Sequence, residues 1–337
     1  MRFYQFLPAL KQAGIDVSIA PLVHHEQLTR RLTSGEYDLG STTRSYAARV
    51  LALVRAGPND VLWIEKEIFP WIPSIFERLP LLLKVPYVVD YDDAIFHTYD
   101  QHPNPGVRAT LGRKIATVMR HAAVVTAGNT YLADYARAAG AKRIVEIPTV
   151  VDVARYMGAA PPRSAEPFRI GWIGTPSTSR HLPDIAEPLQ QLAASHTVQL
   201  VVVGAQNPMT DAVSVEVRQW REATEVQDIK SFDVGVMPLA DEPFTRGKCG
   251  YKLIQYMAAG LPTVASPTGM NATIVDHGRT GFLATSPEEW LTSLDTLVGD
   301  PRLRAELGEA GRNRVIERYS LEAALPSLVA ALREGAS

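Results

Sequence analysis

The stretch RGKCGYKLIQYMAAGLPTVASPTG, residues 246–269, decides the fold class. It holds a run with helical periodicity that closes at Gly260 and Pro262, and a short apolar strand and a loop of small residues follow. This order is typical of one repeat of a parallel α/β layer. Lys248 and Lys252 lie where the helix begins, a position that the helix dipole makes unfavourable for cations. The two lysines are therefore either a solvated surface pair or part of an anion-binding site.

Short β-rich runs alternate with helical segments along the rest of the chain. The runs are almost continuously apolar, which favours parallel strands covered on both faces. The predicted strands are 16–23, 60–65, 86–92, 123–128 and 143–148 in the N-terminal half, and 168–174, 198–204, 213–220, 233–239, 262–266 and 281–285 in the C-terminal half. The sequence therefore predicts an α/β protein with two doubly wound layers.

The alternation pauses at MGAAPPRSAEP, residues 157–167, whose small, polar and proline-rich composition indicates a linker. We therefore predict an N-terminal domain over 1–158 and a C-terminal domain over 167–318. A closing helix is expected at about 319–336, with Ser320 as its N-cap. The chain of 337 residues agrees with two domains of about 150 residues each.

The N-terminal domain opens on the helical run RFYQFLPALKQAG, which Gly14 closes. A doubly wound domain usually opens instead on a central strand followed by a glycine-rich loop. The first strand is therefore missing from the pattern. A late start of the chain is the expected reason, because a sheet centre without its partner strand leaves backbone groups unpaired.

Composition restricts the compartment and the partners. The net charge of −2 gives no indication of nucleic acid. Residues 1–158 carry a net +3 and the remainder −5, which indicates weak attraction to an anionic acceptor, weak peripheral association with a membrane surface such as the inner membrane face, or chance. Cys249 is the only cysteine, which excludes an intrachain disulfide and favours a cytoplasmic location. No apolar run reaches the roughly 18 residues of a membrane span.

Polar stretches follow predicted strands in the C-terminal half, where parallel α/β sheets bind their ligands. In GWIGTPSTSRH, residues 171–181, glycine amides, hydroxyls and a guanidinium group suit a phosphate. The candidate residues of this loop are Gly174, Thr175, Ser177 and Arg180. The alternative is an ordinary β–α loop with a serine cap.

A second loop, SPTGMNA at residues 266–272, is either a tight turn or a place where a ligand approaches the backbone. Its candidates are Gly269, Met270 and Asn271. Lys252 and Gln255 are three residues apart and therefore share one helix face. Trp220 is expected either in the core or as a wall of a nucleobase pocket.

Acidic residues follow two predicted strands of the N-terminal half, in WIEKEIFPW (63–71) and DYDDAIFH (90–97). Carboxylates at strand ends orient sugar hydroxyls or act as bases. The candidates are Glu65, Lys66 and Asp92 for acceptor binding, and Asp93 and His97 for catalysis; a plain polar loop is the alternative for His97. No second histidine or cysteine lies at ligand spacing, so no metal is expected.

With these motifs, the second half resembles the GT-B-fold retaining glycosyltransferases of family 4, the glycosyl transferases group 1. DVGVMPL, YKLIQYMAAGLPTVASPTGMNATIVDHGRTGFL and RVIERYSLEAA match that family in order and spacing. The N-terminal half matches more loosely, through VTAGNTYLADYARAAG followed by VEIPTVVD. The resemblance implies two Rossmann-like domains facing a central cleft, with the final helix returning to the first domain.

The resemblance also implies a reaction. A hexosyl group would pass from a nucleotide-sugar donor to a glycan, lipid-linked or small-molecule acceptor with retention of configuration, as in polysaccharide biosynthesis. The C-terminal domain would bind the donor and the N-terminal domain the acceptor, without a cofactor or a metal. By position, Arg180 would meet the diphosphate, while Gly269, Met270 and Asn271 would contact the donor sugar and phosphate.

The Glu–seven residues–Glu motif of the family is altered in this chain. Its second glutamate, which binds the nucleotide ribose, falls on Gln255, and its first falls on Gly247. An amide side chain still offers a hydrogen bond to ribose, whereas glycine offers none. Asp241 and Glu242 are nearby substitutes.

Departure of a nucleoside diphosphate leaves oxocarbenium-like charge on the sugar, so the leaving phosphate needs cations. Lys252, Lys248 and Arg180 would supply them. His97 or Asp93 would assist proton transfer or only position the acceptor. A non-catalytic nucleotide-sugar-binding protein, a nucleotide-sugar epimerase and a two-lobed solute-binding protein remain as alternatives.

Overall fold

The computed structural model describes residues 2–23, 39–57, 60–158, 166–207, 209 and 213–336. The chain divides into two compact units. The C-terminal unit comprises Met1–Gln5 and Pro148–Ala324, and the N-terminal unit comprises Phe6–Ile147 and Leu325–Ser337. Each unit contains a parallel sheet with helices around it.

The N-terminal unit has a four-stranded sheet in the order β1-β2-β3-β4, with every neighbouring pair parallel. The strands are β1 Leu62–Glu65, β2 Tyr87–Tyr91, β3 Val124–Ala127 and β4 Ile144–Glu146. The helices are α1 Leu7–Gln12, α2 Leu39–Arg55, α3 Leu79–Leu82, α4 Phe96–Asp100, α5 Pro105–Leu111, α6 Lys114–His121 and α7 Thr130–Ala139. All residues of β2 and β3 are buried, as their continuous apolar runs predict.

One strand prediction in this unit is wrong. Residues 16–23 form no strand, and Val17 and Ile19 are 40% and 52% exposed. Pro21 lacks the N–H that a central strand must donate, so this apolar run cannot continue as a buried strand. The prediction that Gly14 closes the first helix is confirmed. This helix ends at Gln12, and Gly14 follows in the left-handed region at φ 77°.

The C-terminal unit has a six-stranded parallel sheet in the order β10-β9-β8-β5-β6-β7. The strands are β5 Phe168–Ile173, β6 Val198–Val203, β7 Ser214–Arg218, β8 Val234–Met237, β9 Thr263–Ala265 and β10 Phe282–Leu283. The chain runs outward from β5 through β6 to β7, and then returns to the other side of β5 as β8. This reversal places a topological switch point between β5 and β8, where open α/β sheets bind ligands.

The helices of this unit cover both sheet faces. They are α8 Pro176–Ser179, α9 Ala186–Ser195, α10 Glu225–Lys230, α11 Pro243–Arg246, α12 Tyr251–Ala258, α13 Asn271–Ile274, α14 Pro287–Gly299 and α15 Pro301–Arg318. A last helix, α16, spans Leu321–Ala336, and the Ser320 hydroxyl accepts the N–H of Ala323 at 3.1 Å, which confirms the predicted cap. Within the described ranges, no helix combines the length and apolar character that crossing a bilayer requires.

A buried ion cluster fixes the segment that follows β1 in the N-terminal unit. The ammonium of Lys114, 1% exposed, lies 2.6 Å from Glu67 Oε2 and 3.1 Å from Glu77 Oε1, and it also donates to the Phe69 carbonyl. Glu77 accepts the N–H groups of Ile68 and Phe69 at 2.9 Å each. These bonds hold residues 67–77 in place without regular secondary structure over most of their length.

Candidate active site

Three loops meet at the carboxyl edge of the C-terminal sheet, after the adjacent strands β5, β8 and β9. They are residues 174–181, 238–250 and 266–271. The N–H of Leu239 donates to Ser266 Oγ at 3.0 Å, and the hydroxyl of Thr268 donates to the Leu239 carbonyl at 3.3 Å. The loops after β8 and β9 are therefore bonded to each other beside the switch point.

Helix α12 positions Lys252 through its buried face. Tyr256, one turn later, packs on β8, where a Cβ at Gly235 would lie only 2.2 Å from its ring. The hydroxyl of Tyr256 accepts the N–H of Ile173, the last residue of β5, at 3.1 Å. Because residues four apart lie on one helix face, this anchor points Lys252 toward the loop that follows β5.

The ammonium of Lys252 occupies the place of an absent side chain. Its Nζ donates to Thr178 Oγ1 at 3.2 Å and lies 4.1 Å from the centre of the Trp172 ring. A Cβ at Gly174 would lie 2.6 Å from Nζ and 2.8 Å from Trp172 Cη2. A larger residue at Gly174 would therefore displace the ammonium or the ring.

The charge of Lys252 is poorly compensated. Burial, with a smaller contribution from the charge of Lys248, lowers the pKa of Lys252 to about 7. The ion pairs among the described residues do not include Lys252. Its pKa in the folded chain lies below the ordinary value of 10.5, so the folded chain binds fewer protons than the unfolded chain between about pH 7 and 10.5, and stability rises with pH there. An anion beside Nζ would instead favour the charged form.

Arg180, the predicted diphosphate ligand, lies on the same loop and is more exposed. Its Nη2 lies 2.8 Å from Glu242 Oε2, in an ion pair whose side chains are 58% and 47% exposed. Such exposed pairs contribute about 0.2–1 kcal/mol, so an anion can replace Glu242 at little cost. Asp241, the other acidic residue considered as a substitute, accepts two bonds from Arg246 at 2.7 and 2.9 Å.

His181 is a polar group of this site that sequence reasoning missed. It is 5% exposed, and its Nε2 lies 3.3 Å from Arg180 Nε. Burial lowers the pKa of His181, and the charge of Arg180 lowers it further, so the neutral ring is favoured. Its place directly after the predicted arginine was the signal that could have identified it.

The other donor-side candidates lie in the loops that follow β5 and β9. Thr175 and Ser177 are exposed, and their hydroxyls lie 2.9 Å apart. Gly269, at φ 57°, lies against α11, where a Cβ would come within 2.8 Å of the Arg246 carbonyl. Met270 is half-buried beside it.

Asn271 is almost fully buried, at 1% exposed. Its side chain donates to the Ser266 carbonyl at 3.0 Å, and its backbone N–H donates to the Thr268 carbonyl at 3.2 Å. Both groups therefore hold the loop together in this structure. The predicted contact of Asn271 with a donor stays a prediction.

Gln255 and Gly247 stand at the two glutamate positions of the altered motif. Gln255 is 2% exposed, and its amide donates to the hydroxyl of Tyr156 at 3.1 Å. Gly247, at the first position of the motif, ends helix α11. The bond to Tyr156 occupies one donor of Gln255, and its contact with a ribose stays a prediction.

Trp220 lies beyond the end of β7 and is 38% exposed. Its indole N–H donates to the buried Glu225 carboxylate at 2.8 Å. A Cβ at Gly204, after β6, would lie 3.2 Å from the Trp220 Cβ and 2.4 Å from the Gly174 carbonyl. Trp220 is thus at the same sheet edge as Gly174, with its ring partly open to solvent.

The acidic candidates of the N-terminal unit also come together. Lys66 Nζ lies 3.2 Å from Asp92 Oδ1 and 4.0 Å from Glu65 Oε1. Burial would lower the pKa of Lys66, but Asp92, Asp93 and Glu65 outweigh it and raise the pKa. Lys66 also has a left-handed backbone at φ 65°, which is unusual for a residue with a side chain.

His97 is paired at both ring nitrogens. Its Nδ1 lies 2.9 Å from Asp100 Oδ1, and its Nε2 lies 2.8 Å from the hydroxyl of Tyr131. A carboxylate, an imidazole and a phenol in series can hold a ring and pass a proton. Sequence reasoning identified His97 but missed Asp100 and Tyr131; the spacing of three residues within one helix could have indicated Asp100.

A family model matches the C-terminal unit, and two curated proteins match parts of the chain. Residues 167–300 match the family model described as Glycosyl transferases group 1, which confirms the resemblance of this region to that family. The alpha-1,3/1,6-mannosyltransferase ALG2 of Homo sapiens is 34% identical over 71 residues, 21% of this chain and 17% of its own length. The alpha-maltose-1-phosphate synthase of Mycolicibacterium smegmatis is 30% identical over 156 residues, which are 44% of this chain and 35% of its own length. The matched regions thus span about a third or less of these relatives.

Solved structures resemble almost the whole chain. HepE from Anabaena, solved in complex with UDP, matches with a TM-score of 0.66 at 16% identity over 98% of this chain and 89% of its own. Sucrose-phosphate synthase from Thermosynechococcus elongatus matches with a TM-score of 0.66 at 17% identity, over 89% of this chain and 80% of its own. At such identities the likeness shows the fold, and the predicted GT-B fold class is confirmed.

Proposed function

Because residues 167–300 match the group 1 glycosyltransferases, we propose that this chain transfers a hexosyl group from a nucleotide-sugar donor to a glycan, lipid-linked or small-molecule acceptor, with retention of configuration. The single observation that carries the proposal is the ammonium of Lys252. It is partly buried, outside any ion pair among the described residues, and placed at the switch point beside Gly174. A diphosphate is the natural counter-ion for such a group.

The donor phosphates would lie among the cations of the C-terminal unit. Lys252 would bond the leaving phosphate oxygen, Lys248 would add charge nearby, and Arg180 would exchange Glu242 for a phosphate oxygen. The sugar C1–O bond breaks and its electron pair leaves with the phosphate. These three cations supply the charge that metal ions provide elsewhere, so we propose that no metal is required.

The acceptor would use the N-terminal unit. Glu65, Lys66 and Asp92 would bind its hydroxyls, since carboxylate and ammonium groups held by each other are oriented before the acceptor arrives. The acceptor oxygen forms the new C1–O bond on the face that the phosphate leaves, and the leaving phosphate takes its proton. His97, oriented by Asp100, would position the acceptor.

The test of the function is release of nucleoside diphosphate by the purified full chain. Thermal shift with UDP, GDP and ADP comes first, because a ligand that binds the folded chain raises its apparent stability. The sugar donors of the best nucleotide are then supplied with and without candidate acceptors. Release that depends on donor and acceptor supports the transferase; stabilisation by a nucleotide without release from any of its donors contradicts it.

That second outcome would favour a non-catalytic nucleotide-sugar-binding protein. One observation supports this alternative: both motif glutamates are replaced, and Gln255 is already bonded to Tyr156. The alternative retains the cation cluster as a binding site and predicts no turnover. Donor binding by itself therefore supports both functions, and release distinguishes them.

Binding of a nucleoside diphosphate is expected to take up protons near pH 8. Lys252 is largely neutral there because burial lowers its pKa to about 7, and an adjacent diphosphate favours its charged form. Calorimetric titration in two buffers of different ionisation enthalpy measures the uptake, which should approach one proton per site. In Lys252→Met the uptake should nearly vanish; equal uptake by both proteins would contradict the role of Lys252.

A further inference from the structure

An apolar groove lies in the N-terminal unit, between helix α2 and residues 69–82. Its volume is about 840 Å³, and its lining is almost entirely apolar. The hydroxyl of Tyr46 on α2 donates to the Pro70 carbonyl at 2.6 Å, and the Tyr46 ring stacks on Phe69 with centres 6.1 Å apart. These contacts connect the two walls, and the ion cluster of Lys114 holds the second wall in place.

The rim of the groove exposes large apolar side chains. Ile75, Phe76 and Leu82 are 61%, 55% and 79% exposed. Leu51 and Val54, on the same helix as Tyr46, are 56% and 58% exposed. Large apolar side chains exposed beside an apolar groove are typical of an interaction surface.

The charges of the two walls have one sign at the surface. Helix α2 and residues 69–84 contain five cations, Arg44, Arg49, Arg55, Arg78 and Lys84. Their one carboxylate is Glu77, which is 2% exposed and paired with Lys114. Four of the five cations are exposed, and neither wall has an exposed acidic residue.

We propose that this face binds the surface of a bilayer that contains anionic phospholipids. Exposed isoleucine, phenylalanine and leucine side chains can enter the boundary between headgroups and acyl chains, where apolar burial supplies binding energy. The exposed cations of the two walls would meet the anionic headgroups, and the absence of exposed carboxylates from both walls removes repulsion. A protein partner could match the apolar surface, but the single sign of charge favours the lipid surface. The inference is independent of the proposed function.

The test is sedimentation of the full chain with vesicles of phosphatidylcholine, with and without phosphatidylglycerol. Binding is expected with phosphatidylglycerol, and it should weaken as salt is raised. Ile75→Ser/Leu82→Ser should lower the partition coefficient by at least about tenfold, because both side chains leave the apolar phase. Arg55→Gln/Arg78→Gln should lower it by a similar factor.

Ile316→Ser is the matched control. Ile316 is 47% exposed on α15 of the C-terminal unit, whereas the groove residues belong to the N-terminal unit. The Ile316→Ser variant should therefore bind vesicles as the unchanged protein does. Circular dichroism of each variant verifies the fold. Equal sedimentation of groove and control variants, or equal binding to both kinds of vesicle, would overturn the proposal. A third result would also overturn it: the unchanged chain self-associates, does not bind vesicles, and becomes monomeric in Ile75→Ser/Leu82→Ser. The groove would then be an interface between copies.

Discussion

Lys252→Met is expected to lower turnover of the true donor by more than tenfold, on the order of a hundredfold. Methionine retains an unbranched chain beside Trp172, so packing changes little. What disappears is the ammonium that would stabilise the charge growing on the leaving phosphate. Since the missing group acts mainly on the transition state, kcat should fall more than KM rises.

Measurement of nucleoside diphosphate release by Lys252→Met needs a control with the same chemical change. Lys142→Met serves, since Lys142 is exposed and lies in the N-terminal unit outside the candidate residues. The melting temperature of Lys252→Met should stay equal or rise, because an incompletely compensated charge has been removed. Near-normal turnover with an intact fold would remove Lys252 from the site.

Lys114→Met is expected to destabilise the N-terminal unit by about 3–5 kcal/mol, the usual cost of removing one partner of a buried ion pair. The substitution leaves the carboxylates of Glu67 and Glu77 facing each other without their common cation. Tyr99 still donates to Glu67 at 2.8 Å, and the Ile68 and Phe69 amides still bond Glu77, but none of these carries charge. Residues 67–77 should loosen first.

Urea unfolding, followed by tryptophan fluorescence, measures this loss, with Lys142→Met again as the exposed control. A triple variant that also neutralises the acids, Lys114→Met/Glu67→Gln/Glu77→Gln, should recover part of the stability, because no buried charge then lacks a partner. A loss below about 1 kcal/mol in Lys114→Met would show that the cluster is hydrated or replaceable, contrary to its burial in this structure.

The strands were predictable because their signal is local. Runs such as VQLVVV and YVVDY are apolar at consecutive positions, and burial on both faces follows. Residues 16–23 have a similar composition, but Pro21 and the exposure of Val17 and Ile19 show that composition does not guarantee a partner strand. The loops after β5, β8 and β9 were predictable as a group, because parallel strands bring their carboxyl ends to one edge.

Long-range pairing was not predictable from these patterns. Gln255 bonds Tyr156 and Lys252 lies over Trp172, and residues so far apart in sequence show no local sign of contact. Lys114 is a further example, since in the run RATLGRKIATVMR it resembles a surface cation. It is nevertheless buried, because Glu67 and Glu77 of another segment pair with it. A buried charge is determined by its partners, which the tertiary fold supplies.

Gly174 shows that a position without a side chain can be as restricted as a reactive residue. It has no side chain to bind, donate or ionise, yet the volume that a methyl group would fill is taken by the ammonium of Lys252 and the edge of Trp172. A saturation-mutagenesis map would therefore score this position as intolerant as a reactive residue, although it contributes no chemistry. What such a map would detect is that the space beside the Gly174 backbone must be left to other residues.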